Sequence, residues 1–189
     1  MATLFEYYNT GDDAQTSFYG AVWQGQTFTP ATSHTITGVK LKLYRVGSPG
    51  TITVSIRAVD GDGHPTGADL CSGTTDGDTL PTTSGAAEWR EITFGAGTPL
   101  TADTQYAIVA RALTGNGNNY VHWRFDRGDS TYTGGRLDQS TDSGVSWFFS
   151  IQENGYHFDF MFEDWGDDLT APTVQTLPTV QTLPATGVT

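Results

Sequence analysis

Carboxylate and amide side chains in turn-like segments are the first candidates for chemistry. The segment NTGDD supplies Asn9, Asp12 and Asp13, and the segment FEDWGDD supplies Asp164. Oxygen atoms of carboxylates and amides are the ligands that calcium prefers in proteins. These four residues are therefore a candidate calcium site assembled from separate loops. The same residues also fit turn carboxylates that face solvent.

Aromatic side chains next to loop-like segments are candidates for sugar binding, because an exposed ring can stack on a pyranose face. The strand NYVHWRFD adds polar side chains that alternate with apolar ones, and these can hydrogen-bond sugar hydroxyls. The glycan-binding candidates are Trp23, Tyr132, Trp147, Phe148, His122 and Arg124. Each aromatic residue also fits a place in the core, and the polar set also fits a solvated sheet with cross-strand ion pairs.

Motifs for catalysis are missing from the sequence. The chain has no G-x-S-x-G elbow, no H-E-x-x-H, no P-loop and no Cys/His nucleophile context. Glycoside hydrolysis needs only two acids about 5 to 10 Å apart, but none of the acidic residues lies in a motif that resembles the E-x-D-x-x-E strand of jelly-roll glycanases. We therefore predict that the protein is not an enzyme, has no catalytic residues and takes no cofactor apart from the candidate calcium ion.

The charge balance limits the choice of partners. Twenty-one acidic residues oppose nine basic ones, for a formal net charge of −12. Such a surface repels phosphate backbones and anionic lipids, so we expect no nucleic-acid partner. We also expect no membrane insertion, because no run of about 18 apolar residues is present. The single Cys71 cannot form an internal disulfide, so the fold has to rest on its packed core.

Alternation of apolar and polar residues predicts β-strands. In TGVKLKLYRV (37–46), Val39, Leu41 and Leu43 face one way, and Lys and Tyr side chains face the other. The run TITVSIRAV (51–59) repeats this pattern after a GSPG turn. We predict that the two runs form a β-hairpin.

The whole body is predicted to be all-β. Short turns rich in Gly, Asp, Asn and Pro separate about ten strands, and Phe158, Phe160 and Phe162 form one apolar face in the last of them. This pattern predicts an antiparallel two-sheet β-sandwich, of jelly-roll type, over residues 1–166. The further strands are predicted at 4–8, 26–30, 69–75, 88–94, 105–113, 119–126, 145–151 and 156–164.

The composition changes at the end of the chain. Residues 167–189 contain no aromatic residue and repeat TVQTLP in tandem, which predicts an extended linker or arm without a core of its own. The letters LPATG match a sortase signal, but no hydrophobic segment or basic stop follows them, so a repeated spacer explains them more simply. The apolar residues with which the arm would contact a neighbour are Val174, Leu177, Val180 and Leu183.

The run QGQTFTPATSHTITGVKLKLYRVGSPGTITVSIRAVDGDGHPTGADLCSGTT, with the later EWREITF and LTADTQYAIVARA, resembles the choice-of-anchor modules. These are surface β-sandwiches of bacterial, archaeal and phage proteins. The resemblance covers about residues 20–165 and implies a non-catalytic jelly-roll domain of a multidomain secreted or virion protein. The phrase TLPATGVT is similar to the lead-in to fibronectin type III-like domains. The resemblance carries over no functional residues.

Together these features predict a structural and adhesive subunit of a virion or extracellular surface assembly. The arm is expected to contact copies of the chain or neighbouring structural subunits. No signal peptide is visible, since the chain reads directly into LFEYYNTGDD, and assembly into a virion is one way to account for that. The alternative is a carbohydrate-binding module that uses loop aromatics, is stabilised by calcium and binds a cell-surface glycan.

Overall fold

The computed structural model of the chain describes residues 2–128, 130–149 and 158–169. Within these ranges it is an all-β, antiparallel two-sheet β-sandwich, which confirms the predicted fold class. Two short 3₁₀ turns, Gly77–Thr79 and Ser84–Ala86, complete the elements. The strands are β1 (Thr3–Tyr8), β2 (Ala14–Phe18), β3 (Trp23–Phe28), β4 (His34–Val46), β5 (Thr51–Val59), β6 (Pro65–Asp76), β7 (Glu88–Leu100), β8 (Tyr106–Arg111), β9 (Tyr120–Asp126), β10 (Leu137–Ser140), β11 (Asp159–Phe160) and β12 (Phe162–Asp168).

The strands divide into a seven-stranded and a five-stranded sheet. The seven-stranded sheet has the order β1-β12-β4-β9-β11, with β2 paired to β9 and β7 paired to β4. The five-stranded sheet has the order β10-β3-β8-β5-β6. Because β3, β4 and β5 alternate between the two sheets, the chain crosses the sandwich repeatedly in this region.

The predicted hairpin of residues 37–46 and 51–59 is wrong. β4 belongs to the seven-stranded sheet, whereas β5 pairs with β6 and β8 in the five-stranded sheet. The GSPG segment is therefore a crossover between sheets, and its two glycines, Gly47 and Gly50, adopt positive φ angles of 63° and 74°. Alternation reports which face of a strand is buried, and both strands bury one face in the same core. It does not report the pairing partner.

The core lies between the two sheets. As predicted, Phe160 and Phe162 are fully buried, and Phe158 packs against the same cluster at its margin. The indole of Trp123 stacks on Phe160 with ring centroids 4.1 Å apart. The indole Nε1 of Trp123 donates a hydrogen bond to the carbonyl oxygen of Met161, at 2.9 Å. This bond ties β9 to the residue that separates β11 from β12.

Irregular pairing explains the local differences from the sequence pattern. A register shift follows Ile56 in its pairing with β6, and Ala58, which alternation placed inward, is exposed.

Strands β2 and β10 were not predicted, because AQTSF and LDQS lack an apolar alternation. The predicted strand 145–151 is described only to residue 149, and that part pairs through one isolated bridge between Phe148 and Gln139.

Two leucines, one buried and one exposed, test the assignment of the core. Leu41 on β4 is fully buried, whereas Leu70 on the edge strand β6 is 47% exposed. We expect Leu41→Ala to lower the free energy of unfolding by about 2–5 kcal/mol, since it removes buried methyl groups and leaves a cavity. The matched Leu70→Ala variant should change it by about 0.5 kcal/mol or less. Urea unfolding of both variants measures the difference, and equal losses would contradict the predicted core.

Candidate functional site

A buried polar network connects β3 to β11. Gln26 Nε2 donates to Asp159 Oδ1 at 2.7 Å, and the backbone N–H of Phe160 donates to Gln26 Oε1 at 2.7 Å. The hydroxyl of Ser130 donates to Asp159 Oδ2. Burial raises the pKa of Asp159 to about 6, against the hydrogen bonds from Ser130 and Gln26. The carboxyl group is therefore an internal connector between strands, closed off from solvent.

A second carboxyl group, Asp126 on β9, lies directly across the ladder from Asp159. The hydroxyl of Tyr8 donates to Asp126 Oδ2 at 2.6 Å, and the backbone N–H of Gly128 donates to Asp126 Oδ1 at 2.8 Å. Burial, together with the neighbouring Asp126, raises the pKa of Tyr8, so its hydroxyl keeps the proton that it donates. Asp126 is 5% exposed. The two acids thus connect strands at a place where their side chains have little exposure to solvent.

Asp164, a calcium candidate, is instead paired with an imidazole inside the core. His34 Nε2 lies 2.9 Å from Asp164 Oδ2, and both side chains are fully buried. His34 Nδ1 lies 2.9 Å from the carbonyl oxygen of Thr32, and the ring of Phe5 stacks on the imidazole at 3.8 Å. Burial alone disfavours the imidazolium, but the contact with Asp164 outweighs it and raises the pKa of His34.

The other calcium candidates have separate protein partners. Asp12 forms ion pairs with Lys42 at 2.9 Å and with Arg124 at 3.1 Å. Burial opposes the ionisation of Asp12, but these two cations outweigh it and lower its pKa. Asp13 Oδ1 accepts the backbone N–H of residue 127, and Asn9 donates to Glu163 at 3.2 Å. No group of three acidic, His or Cys side chains able to hold a metal ion occurs among the described residues, and the calcium site stays a prediction.

Two of the glycan candidates lie on the outer face of the five-stranded sheet. Trp23 is 8% exposed, and the guanidinium groups of Arg57 and Arg111 lie 5.4 and 5.1 Å from its ring centroid. Trp147 packs against the hydrophobic cluster that contains Trp23. Its indole also covers Gly25, so that a Cβ added at Gly25 would lie 3.2 Å from the ring. Arg57 and Arg111 lie against the ring of Trp23, and Trp147 is partly buried, with its indole against Gly25.

The remaining glycan candidates are distributed over three other places. Tyr132 packs against the core, with its ring centroid 5.3 Å from that of Phe162. Phe148 is 45% exposed in the loop after β10. His122 and Arg124 lie on the outer face of the seven-stranded sheet, where His122 stacks on Tyr44 at 4.5 Å. The six candidates therefore do not form one site.

A groove that the sequence analysis missed lies on that outer face. Trp165 on β12, Gly38 on β4 and Thr93 on β7 are direct neighbours across three strands. They line a groove of about 290 Å³, and Glu91 lies beside Thr93 on the same wall. Continuing the alternation of the last strand beyond Phe162 would have placed Trp165 outside, so the signal was present in the sequence.

The indole of Trp165 is held in place from two sides. Its Nε1 donates to Glu163 Oε2 at 2.9 Å. The ammonium group of Lys40 lies 4.5 Å from the ring centroid, a cation–π distance. Glu163 and Glu91 are the neighbours of Lys40 on the two flanking strands. The groove therefore combines an aromatic wall, one carboxylate, two threonines (Thr37 and Thr93) and a glycine, Gly38, at the position between Trp165 and Thr93.

The basic side chains contact acidic, carbonyl or aromatic groups of the β-sandwich. Asp69, for example, accepts from Arg57 at 2.8 Å and from Arg111 at 2.5 Å. Because the acids outnumber the bases, the charge left on the surface is carboxylate. Contacts with an acidic group, a carbonyl oxygen or an aromatic ring hold Lys40, Lys42, Arg45, Arg57, Arg90, Arg111, Arg124 and Arg136.

No protein-family model and no curated protein matches the chain. In the part of the chain that the structure describes, no helix is long and apolar enough to cross a membrane. The four arm residues Val174, Leu177, Val180 and Leu183 lie outside the described residues. β12 ends at Asp168, so the first residues assigned to the linker belong to the last strand.

The buried Asp159 predicts a specific pH dependence. Its pKa is about 6 in the folded protein against an ordinary 3.8, so the folded state binds this proton more tightly. The protonated carboxyl group of Asp159 therefore stabilises the folded state at low pH, and this contribution is lost as the pH rises through 6. We expect the free energy of unfolding of the native protein to fall by about 2 kcal/mol, relative to Asp159→Asn, between pH 4 and pH 7.

The control for this experiment is Asp142→Asn. Hydrogen bonds from Ser146 and Ser140 lower the pKa of Asp142 to about 2, so its carboxylate is ionised in the folded state throughout this pH range. Urea unfolding at each pH should show little change in the difference between the native protein and this variant. A flat pH profile for Asp159→Asn as well would contradict the raised pKa of Asp159.

Proposed function

We propose that the chain is a non-catalytic structural and adhesive module of a virion or extracellular surface assembly. The observation that carries the proposal is that the buried acidic side chains are bound by other side chains of the same chain. Asp126, Asp159 and Asp164 are each bound to a tyrosine, serine, glutamine or histidine side chain between the sheets. Acids held in this way connect strands, and they are unavailable for proton transfer to a substrate.

The concave surfaces support the same proposal. The groove beside Trp165 has one carboxylate, Glu91, among its described lining residues. A second cavity, between the sheets at Gln24, has none among the described residues that line it. Glycoside hydrolysis uses two carboxyl groups on either side of the bond that is cleaved. A binding or assembly role needs no such pair.

The surface offers means of adhesion. Its excess of carboxylates favours a neutral or cationic partner. The loop that follows β10 exposes apolar side chains, with Val145 84% and Phe148 45% exposed. Such side chains are suited to contact with a neighbouring subunit. We infer that the C-terminal arm supplies the second contact, and that the module is similar to choice-of-anchor domains with a jelly-roll topology.

Charge substitutions in the arm test the assembly. We expect the full chain to form oligomers in sedimentation velocity experiments, and the double variant Leu177→Asp/Leu183→Asp to sediment as a folded monomer. A charge placed at an apolar contact carries a desolvation cost without a partner. The control Gln175→Asp/Gln181→Asp adds the same charge at polar positions and should still assemble. A native chain that stays monomeric at high concentration would contradict the proposal.

The alternative function, carbohydrate binding, is favoured by one specific feature, the groove beside Trp165. Indole rings stack on the apolar C–H face of a pyranose, and carboxylate and hydroxyl groups accept and donate hydrogen bonds to sugar hydroxyls. Its volume of about 290 Å³ lies at the lower end of the usual range for ligand sites, which fits a short sugar segment. Lys40 and Glu163 fix the indole in advance, which lowers the entropic cost of binding.

Two variants of the groove test carbohydrate binding. In Trp165→Ala the stacking wall is lost, and in Thr93→Arg a long side chain fills the groove. For a glycan that the full chain binds on an array, we expect each change to weaken binding about tenfold or more, by calorimetry. Thr51→Arg, at an exposed position of β5, is the matched control and should bind normally. An array without signal would exclude this function, and normal binding by both groove variants would exclude this site.

A further inference from the structure

A small cavity lies between the two sheets where β2, β9, β3 and β10 come together. Its volume is about 130 Å³. The apolar part of its lining consists of Phe125, Leu137, Phe148 and Phe158. The polar part consists of Thr16, Gln24 and Gln139. It is separate from the groove beside Trp165, with which it shares no lining residue.

The amide of Gln24 is fixed in one orientation. Its Nε2 donates to the carbonyl oxygen of Ser17 on β2, at 2.8 Å. Its Oε1 is fully buried and has no hydrogen-bond partner among the described residues. Leaving a buried acceptor unsatisfied costs about 1–3 kcal/mol. The cavity therefore presents one acceptor that a hydrogen-bond donor from outside the chain can satisfy.

The remaining walls suit a flat apolar ring. Phe125 and Phe158 meet at an angle of 54°, with ring centroids 5.6 Å apart. Phe148 is half-exposed, and two backbone hydrogen bonds of 2.8 and 2.9 Å join it to Gln139. Phe148 thus bounds one side of the cavity. Its backbone is anchored to β10 and its side chain reaches solvent, so a ligand can enter past its ring.

We propose that this cavity binds a small planar aromatic molecule that carries one hydroxyl or N–H donor. The ring packs against the cavity-facing sides of Phe125 and Phe158, and the donor satisfies Gln24 Oε1. An apolar cavity of about 150 Å³ in another protein is large enough for benzene, so about 130 Å³ accommodates one ring of this kind. This site shares no lining residue with the groove proposed for carbohydrate binding, and it shares Phe148 with the exposed loop proposed for subunit contact.

Phenol and toluene test the site with the full chain, because they share a shape and differ in the donor. We expect phenol to give saturable chemical-shift changes at the side-chain amide of Gln24 and at the neighbouring ring protons, and to bind at least tenfold more tightly than toluene. Gln24→Leu should remove or reverse this preference. Equal affinity for the two probes would show that Gln24 Oε1 does not select a donor, and no saturable binding of phenol would show that the cavity takes no aromatic ligand. Either result would overturn the proposal.

A second pair of variants keeps the test decisive if Gln24→Leu fails to fold. Phe148→Ala removes one wall of the cavity at a half-exposed position, where the cost to folding is small. Phe149→Ala is the matched control, since Phe149 is also partly exposed but its ring packs on Arg136, 4.0 Å from the guanidinium carbon. We expect phenol affinity to fall several-fold in Phe148→Ala and to stay unchanged in Phe149→Ala. Equal effects of the two changes would overturn the assignment.

Discussion

Burial of one face of each sheet against the other is the constraint on which the molecule depends. No disulfide supports it: the single Cys71 is free, and burial raises the pKa of its thiol to about 11, so the thiol stays protonated near neutral pH. The stacked pair of Trp123 and Phe160 is fully buried in this core. Because both sheets commit their inner faces to it, the surfaces that the described residues leave for the proposed contacts are the outer faces, the loops and the small cavity beside Gln24.

The buried polar groups follow from the same constraint. A carboxyl group inside a sandwich has to be neutral or paired, because an isolated charge there is too costly. Asp159 meets this requirement with a raised pKa and two donors, and Asp164 meets it with His34. Buried polar groups require particular hydrogen-bond partners. They therefore fix the register between strands, which apolar packing alone does not determine. We regard the acids of the core as structural for this reason.

The sequence predicted the fold class because alternation reports burial directly, as the inward positions of β4 and β9 show. It failed for the pairing of β4 with β5, since a crossover between sheets and a hairpin can use the same GSPG letters. The surroundings of the candidate site residues could not be predicted from the sequence. Composition does not reveal whether Trp23 is covered by Arg57 and Arg111, and Gln24 becomes notable only when its amide oxygen is seen to lack a partner. Both facts depend on contacts between distant segments.

Native-state hydrogen exchange at the backbone amide of Phe160 tests the central claim most directly. This amide donates to Gln26 within the network that contains Asp159. If the buried acids are structural, the amide should exchange only when the whole sandwich unfolds, with an opening free energy equal to the global value from urea unfolding. Exchange through a local opening of much lower free energy would show that the acids become accessible in the native state and would contradict the account.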